Sequence, residues 1–219
     1  MLEMVQVKEK YRSIIIENQY FGTVNWYKML FLNLDIIIEQ YEAYPKTSFR
    51  NRTVIAGSNG LIHLSVPLEN GRSQKAIFKD VKICNQQTWQ KQHWRSIVSC
   101  YAKSPFFEFY RDGMENFFLK KYDYLLDLDL EILVWAKKQL TLTSQTLFTD
   151  RFLPNYGENI LDLRDQIKPS HFQEVEVPIV YNQVFEDRIG FQPNLSIIDL
   201  LSCCGPATKS LMINNILTI

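Results

Sequence analysis

The sequence predicts an α/β fold: a mixed sheet containing a βαβ unit, a β-hairpin, and a helical block in the second half of the chain. Three observations carry this expectation. Two isoleucine runs, Ser13-Ile14-Ile15-Ile16-Glu17 and Asp35-Ile36-Ile37-Ile38-Glu39, flank an amphipathic stretch from Val24 to about Asn33. Unbroken β-branched runs of this length suit strands buried on both faces. Strand, helix and strand within about thirty residues form a βαβ unit with parallel strands and a right-handed crossover. The second observation is Gly57-Ser58-Asn59-Gly60 between two alternating runs, a hairpin signal. The third is the density of aromatic and leucine residues from Trp89 to Leu140 at helical spacing.

Taken in order, the charged start 1–12 reads as a tail, and 13–219 as a single domain without repeat or composition break. Ile14–Ile16 and Ile36–Ile38 are expected to be adjacent, parallel and central. Because ligands collect outside the carboxyl ends of parallel strands, Glu17 to Tyr20 and Glu39 to Tyr41 are expected to line one rim. The hairpin joins a run ending at Ala56 to one beginning at Leu61. Cross-strand partners share a face. Ile55 therefore falls with Ile62, Leu64, Val66 and Leu68, and Arg50 and Arg52 fall with His63 and Ser65.

Lys79–Cys84 alternates and reads as a strand, and Gln86–Lys103 as a helix. Ser104-Pro105 then has the residues of an N-cap and a first helical position. Tyr122–Leu140 is a further helix, and Gln145–Phe148 a short strand. The stretch from Tyr156 to Ile179 is polar and interrupted by Pro169 and Pro178, and yields no assignment. Ile179–Phe185 alternates as a strand. Ser196 and Asp199 have capping-box spacing at the start of a helix, so Asp199 reads as a cap rather than a catalytic acid. Gly205 stops that helix and Pro206 opens the last one.

Lysine plus arginine equals aspartate plus glutamate at 24 each, so the formal net charge is zero. No basic field for nucleic acid exists, and any anion site is local. Four cysteines, at 84, 100, 203 and 204, have no CxxC or Cys/His ligand spacing, which suits a reduced compartment. The first residues hold no apolar signal-peptide core, and no apolar run approaches the about 20 residues that span a bilayer. The expectation is a cytoplasmic protein with no membrane span.

Candidate chemistry centres on Trp89-Gln90-Lys91-Gln92-His93-Trp94-Arg95. On a helical wheel Trp89, His93, Trp94, Ile97 and Tyr101 share one side, and Lys91, Arg95 and Ser99 the other. His93 at the edge of the apolar stripe admits two readings: a half-buried general base, or a packed histidine bonded to a neighbour. Arg50, Arg52 and His63 on one hairpin face make a seat for a phosphate or carboxylate, or else a solvated face. The functional expectation is that Arg50, Arg52, His63 and His93 converge on one concave surface, with Trp94 and Arg95 shaping its pocket. Asp127-Leu128-Asp129 looks like the DxD motif of metal-dependent glycosyltransferases, but a helix turns i and i+2 about 200° apart, so the two cannot share an ion. GxSxG, GxxxxGK[ST], strand-linked GxGxxG and HExxH are all absent. Three dispersed histidines argue against a histidine-rich metal centre.

These motifs resemble the WbqC-like proteins. Tyr20-Phe21, Arg50-Asn51-Arg52, Trp89 to Arg95, Tyr101 with Ser104-Pro105-Phe106-Phe107, Tyr181 with Gln183, and Phe191 to Leu201 with Gly205-Pro206 occur in the family's order. The turn Asn18-Gln19-Tyr20-Phe21-Gly22-Thr23 departs from it, because many members carry Gln-Pro-x-Phe-x-Pro there. The resemblance implies a bacterial protein that modifies a sugar precursor of O-antigen or other surface polysaccharide by acyl or aminoacyl transfer. Its partners would be a nucleotide-linked or lipid-linked sugar and an acyl or aminoacyl donor, and it implies no particular cofactor. On this reading Arg50 and Arg52 hold an anion, His93 takes a proton, and Tyr20 belongs to the substrate site. The alternative is a non-catalytic sugar-nucleotide-binding or assembly protein that uses the same face.

Overall fold

The computed structural model describes residues 7, 9–71 and 75–216. Strands β1 (Ser13–Ile16) and β2 (Asp35–Ile38) pair in parallel, Ile14 opposite Ile36 and Ile16 opposite Ile38, with helix α1 (Val24–Leu30) between them. Burial explains the isoleucines: Ile14, Ile15, Ile36 and Ile38 are all within the core. Thr23 caps α1, its Oγ1 accepting from the Trp26 amide at 3.3 Å. The sheet is completed by β5 (Thr146–Phe148) beside β2 and β6 (Ile160–Asp162) beside β1, giving the order β5-β2-β1-β6 with every pairing parallel. The βαβ unit is therefore central, as the sequence predicts.

The hairpin consists of β3 (Arg52–Gly57) and β4 (Gly60–Ser65), closed by Ser58-Asn59. Its register sets Ile55 opposite Ile62 and Arg52 opposite Ser65, so the two faces divide as the residue parity requires. The Arg52 face, however, is covered over β3 and open at His63 and Ser65 of β4. Val54 and Ala56 lie on it and pack with Phe49, Phe172 and Leu195 in a second, small core.

Helices α2 (Trp89–Tyr101), α3 (Phe107–Leu119) and α4 (Leu125–Gln139) form the helical block, followed by α5 (Glu186–Ile189), α6 (Ile197–Cys204) and α7 (Ala207–Asn214). Phe117, Phe118 and Trp135 of the block surround the Phe21 ring. Phe21 holds a left-handed backbone, φ 42°, and its carbonyl accepts from Thr53 Oγ1 and Ser196 Oγ, both at 2.9 Å. The β1–α1 turn, the hairpin and the α6 start are thereby laced together.

Four local expectations differ from the structure. Lys79–Cys84 is not a ladder strand: Phe78–Asp80 is a 3-10 turn, and Lys82 and Ile83 make only isolated bridges. Ser104 does not cap α3, because its hydroxyl donates back to the Tyr101 carbonyl at 2.7 Å and serves the end of α2. Ile179–Phe185 alternates in burial at Tyr181 and Gln183 without a strand partner. The Gln183 side chain replaces the ladder, exchanging two 2.8 Å hydrogen bonds with the Gln192 backbone. Asp199 does not complete a capping box. Ser196 Oγ accepts from the Ile198 amide, while the Asp199 carboxylate faces inward. Of the tail expected over 1–12, residues 1–6 and 8 lie outside the described residues, and Val7 packs against the main core. No helix among the described residues is long and apolar enough to cross a membrane.

Candidate active site at the carboxyl rim of the sheet

First and last of the sheet strands in the chain, β1 and β6 are neighbours in space, so the connections diverge at their carboxyl ends, where open α/β sheets form a ligand crevice. Glu17 follows β1 and Asp165 lies just beyond β6, and the Asp165 amide donates to Glu17 Oε2 at 3.1 Å. Over this junction lies Arg50, fully buried, although it belongs to the turn before the hairpin. Its guanidinium pairs with Glu42, stands 3.7 Å from Asp165 Oδ1, and rests over the Phe78 ring. Arg50 Nε and Nη1, Asn18 Nδ2, Tyr27 Oη and both carboxylate oxygens of Asp129 are buried without a hydrogen-bond partner among the described residues. Such orphaned groups are rare in native interiors.

Electrostatics follow from this crowding. Burial pushes the Glu17 carboxyl up, opposed by the Arg50 charge. Burial also raises Glu42, with the Asp165 and Glu17 charges adding and Arg50 opposing. Asp129, on the apolar face of α4, is driven well above the carboxylate range by burial, with Arg50 again opposing. Carboxyls whose pKa values are raised by burial beside a fixed cation are suited to taking or giving a proton. Glu42 and Asp165 are partly exposed and form the accessible side of the group.

Farther along the rim, Glu39 accepts from the Tyr41 amide, Thr149 Oγ1 and Tyr156 Oη at 2.8, 3.0 and 2.6 Å. Arg164 pairs with Asp162 and lies 3.5 Å from Glu39, its Cζ 5.3 Å from the Phe152 ring centroid and 5.0 Å from that of Tyr156. Aromatic faces beside carboxylates are the chemistry that recognises a sugar: rings take its C–H surface and carboxylates accept from its hydroxyls.

The residues singled out in the sequence are brought together only in part. Tyr20 and His93 meet, the Tyr20 hydroxyl 2.9 Å from His93 Nδ1. The imidazole is 5 % exposed and packs edge-on against Trp89. Burial lowers its pKa to about 4, opposed by a hydrogen bond to the Ser65 backbone. This is the packed arrangement, not a half-exposed base. Arg52 leads β3 on the face that the second core covers. His63 and Arg95 are exposed, Arg95 on the solvent side of α2 and His63 on β4 opposite Val54. Trp94 stacks on Phe107 and Phe118 and donates Nε1 to Glu115 at 2.9 Å, so it anchors α3. The expected convergence of Arg50, Arg52, His63 and His93 on one concave surface does not form, because Arg50 turns inward to the acids while His63 faces solvent.

Sequence reasoning reached Glu17 and Glu39 through strand ends and missed Glu42, Asp165, Arg164 and Asp129. Asp129 had a signal: with Leu125, Ile132, Leu133 and Ala136 it lies on the buried stripe of α4. A second buried polar group was also missed. Asp199 accepts from Tyr101 Oη at 2.8 Å and Tyr181 Oη at 2.7 Å, and the Tyr101 hydroxyl oxygen accepts from the Ala56 amide. No group of three or more His, Cys, Asp or Glu among the described residues is placed to hold a metal ion.

The WbqC-like protein family matches residues 19–172, a span that runs from the β1–α1 turn through Arg50, His93 and Arg164. The chain belongs to the WbqC-like family. No curated protein and no solved structure matches it. The WbqC-like match thus includes Arg50, Glu42, Asp165 and Asp129, but begins two residues after Glu17 and ends before the Tyr181–Asp199 pair.

Proposed function

We propose that the protein is a group-transfer enzyme that acylates or aminoacylates a sugar precursor of O-antigen or another surface polysaccharide, with the Arg50 cluster as its active site. The observation that carries this reading is one fully buried guanidinium held among Glu17, Glu42 and Asp165 where the sheet connections diverge, two of those carboxyls having raised pKa values. Acyl transfer to a hydroxyl or amine needs a base that takes the proton as the new bond to the carbonyl carbon forms. Glu42, partly exposed and steadied by Arg50, fills that role in place of the enclosed His93. The buried Arg50 charge, next to the partly exposed Glu42 and Asp165, favours developing negative charge on the accessible side of the group through its field. Phe152 and Tyr156 offer the sugar a ring face, and the partly exposed Asp165 carboxylate offers an acceptor, while the fully buried Glu39 holds Tyr156 in place.

The test compares wild type with Glu42→Gln. Nucleotide-linked sugars are screened by thermal shift, and turnover with acyl and aminoacyl donors is followed by mass spectrometry. Turnover lost with sugar binding retained supports the enzyme. Both retained removes Glu42 from the chemistry. A second reading, a non-catalytic sugar-nucleotide-binding protein, is favoured by the Arg164 guanidinium near both the Phe152 and Tyr156 rings, a platform that needs no proton transfer. It requires sugar binding without turnover in the wild type itself.

A further inference from the structure

A pocket apart from the residues of the rim opens between the α2–α3 turn and α5. Its walls include Lys103, Pro105, Phe185, Arg188 and Cys203, it encloses about 630 Å³, and no carboxylate lines it. That volume falls within the about 300–1,000 Å³ usual for small-molecule sites. Lys103 and Arg188 are exposed, and neither makes an ion pair with any described residue. Asp187 and Glu186 flank Arg188 in sequence, but both lie outside the pocket wall. Burial keeps the Cys203 thiol protonated, so it adds no negative charge.

The pocket is also held in shape. Gln183 on its wall is committed to the Gln192 backbone and Ser104 to the Tyr101 carbonyl. Two cations from separate elements facing one cavity repel each other, and a multiply charged anion between them reverses that cost. A tetrahedral dianion presents oxygens toward both. A carboxylate, with a single charge, matches only one.

We propose that this pocket binds a phosphate ester, Lys103 and Arg188 contacting the phosphate oxygens and Phe185 with Pro105 covering the group attached to the phosphate. The proposal does not rest on the reading of the Arg50 cluster. It is tested by calorimetric titration of the full chain at low salt with inorganic pyrophosphate and with uridine diphosphate. The expected result is saturable binding of both, with the Lys103→Ala/Arg188→Ala variant weaker by about tenfold or more, as loss of charge-assisted contacts requires. Both side chains are exposed, so an unchanged melting temperature confirms that the variant is folded. Lys103 and Arg188 lie outside the rim, so loss of binding in the double variant assigns the probes to this pocket. Uridine diphosphate binding more tightly than pyrophosphate, with the difference removed by Phe185→Ala, supports the aromatic wall, and equal affinities overturn that part. No saturable binding, or binding indifferent to the double variant, overturns the site.

Discussion

His93 makes a pH-dependent contribution to stability that can be isolated. In the fold its ring is enclosed by Trp89 and Tyr20, and burial holds its pKa at about 4, against 6.5 for an ordinary imidazole. The native state therefore keeps it neutral, while the unfolded chain takes up a proton at about 6.5. Stability from this site is complete above that value and falls as the pH drops through 4, since acid protonates the unfolded chain first. Linkage between the two values gives a loss of about 2 kcal/mol at pH 5 and about 3 kcal/mol at pH 4 relative to pH 7. The replacement His93→Gln leaves an amide that can meet the Tyr20 hydroxyl and does not titrate. Urea unfolding of both proteins at pH 7, 5.5, 5 and 4, read as unfolding free energies, should show the wild type losing stability more steeply by those amounts. Parallel pH profiles, or the His93 imidazole resonance, assigned by its absence in His93→Gln, titrating near 6.5 in the folded protein, would refute the argument.

Other perturbations follow from the same contacts. Replacing Arg50 with Met strips the counter-charge from Glu17, Glu42 and Asp129. It should destabilise by about 3–5 kcal/mol, as for a broken buried pair, measured by denaturant unfolding. Tyr181→Phe removes a hydrogen bond to the buried Asp199 carboxylate and should cost about 1.5–3 kcal/mol. A cost near zero would mean that the carboxylate has another donor. Gly205→Ala places a Cβ 2.4 Å from the Phe106 ring at a backbone φ of 52°, and a melting experiment should show a loss of about 1–3 kcal/mol from strain alone.

Legibility in the sequence followed how local the deciding contacts are. Ile14–Ile16 and Ile36–Ile38 declare themselves because strands buried on both faces need unbroken apolar runs. The hairpin is legible because Gly57 and Gly60 flank a two-residue loop. β6 was not, since Ile160–Asp162 is a three-residue edge strand whose partner, β1, lies almost 150 residues earlier. The same distance hid the site. Arg50 reads as a hairpin residue turned away from the core toward an anion or solvent, and only the tertiary fold carries it over Glu17 and Asp165. For His93 the helical wheel leaves a packed histidine and a half-buried base both open, because it cannot include Tyr20, which closes over the ring from the β1–α1 turn. Asp199 has cap spacing, yet its carboxylate is claimed by Tyr101 and Tyr181, one of them 98 positions away.

The claim that the carboxyl rim is the sugar site has two built-in reporters. The Tyr41 amide donates to Glu39, and the Asp165 amide donates to Glu17. The most direct measurement is an amide chemical-shift titration with the sugar precursor that stabilises the protein most in a thermal screen. The account requires the Tyr41 and Asp165 resonances, with those of Glu42 and Arg164, to move together along one saturable curve. Shifts confined to the exposed side of α2 around Arg95, or to the hairpin around His63, with Tyr41 and Asp165 unmoved, would contradict it.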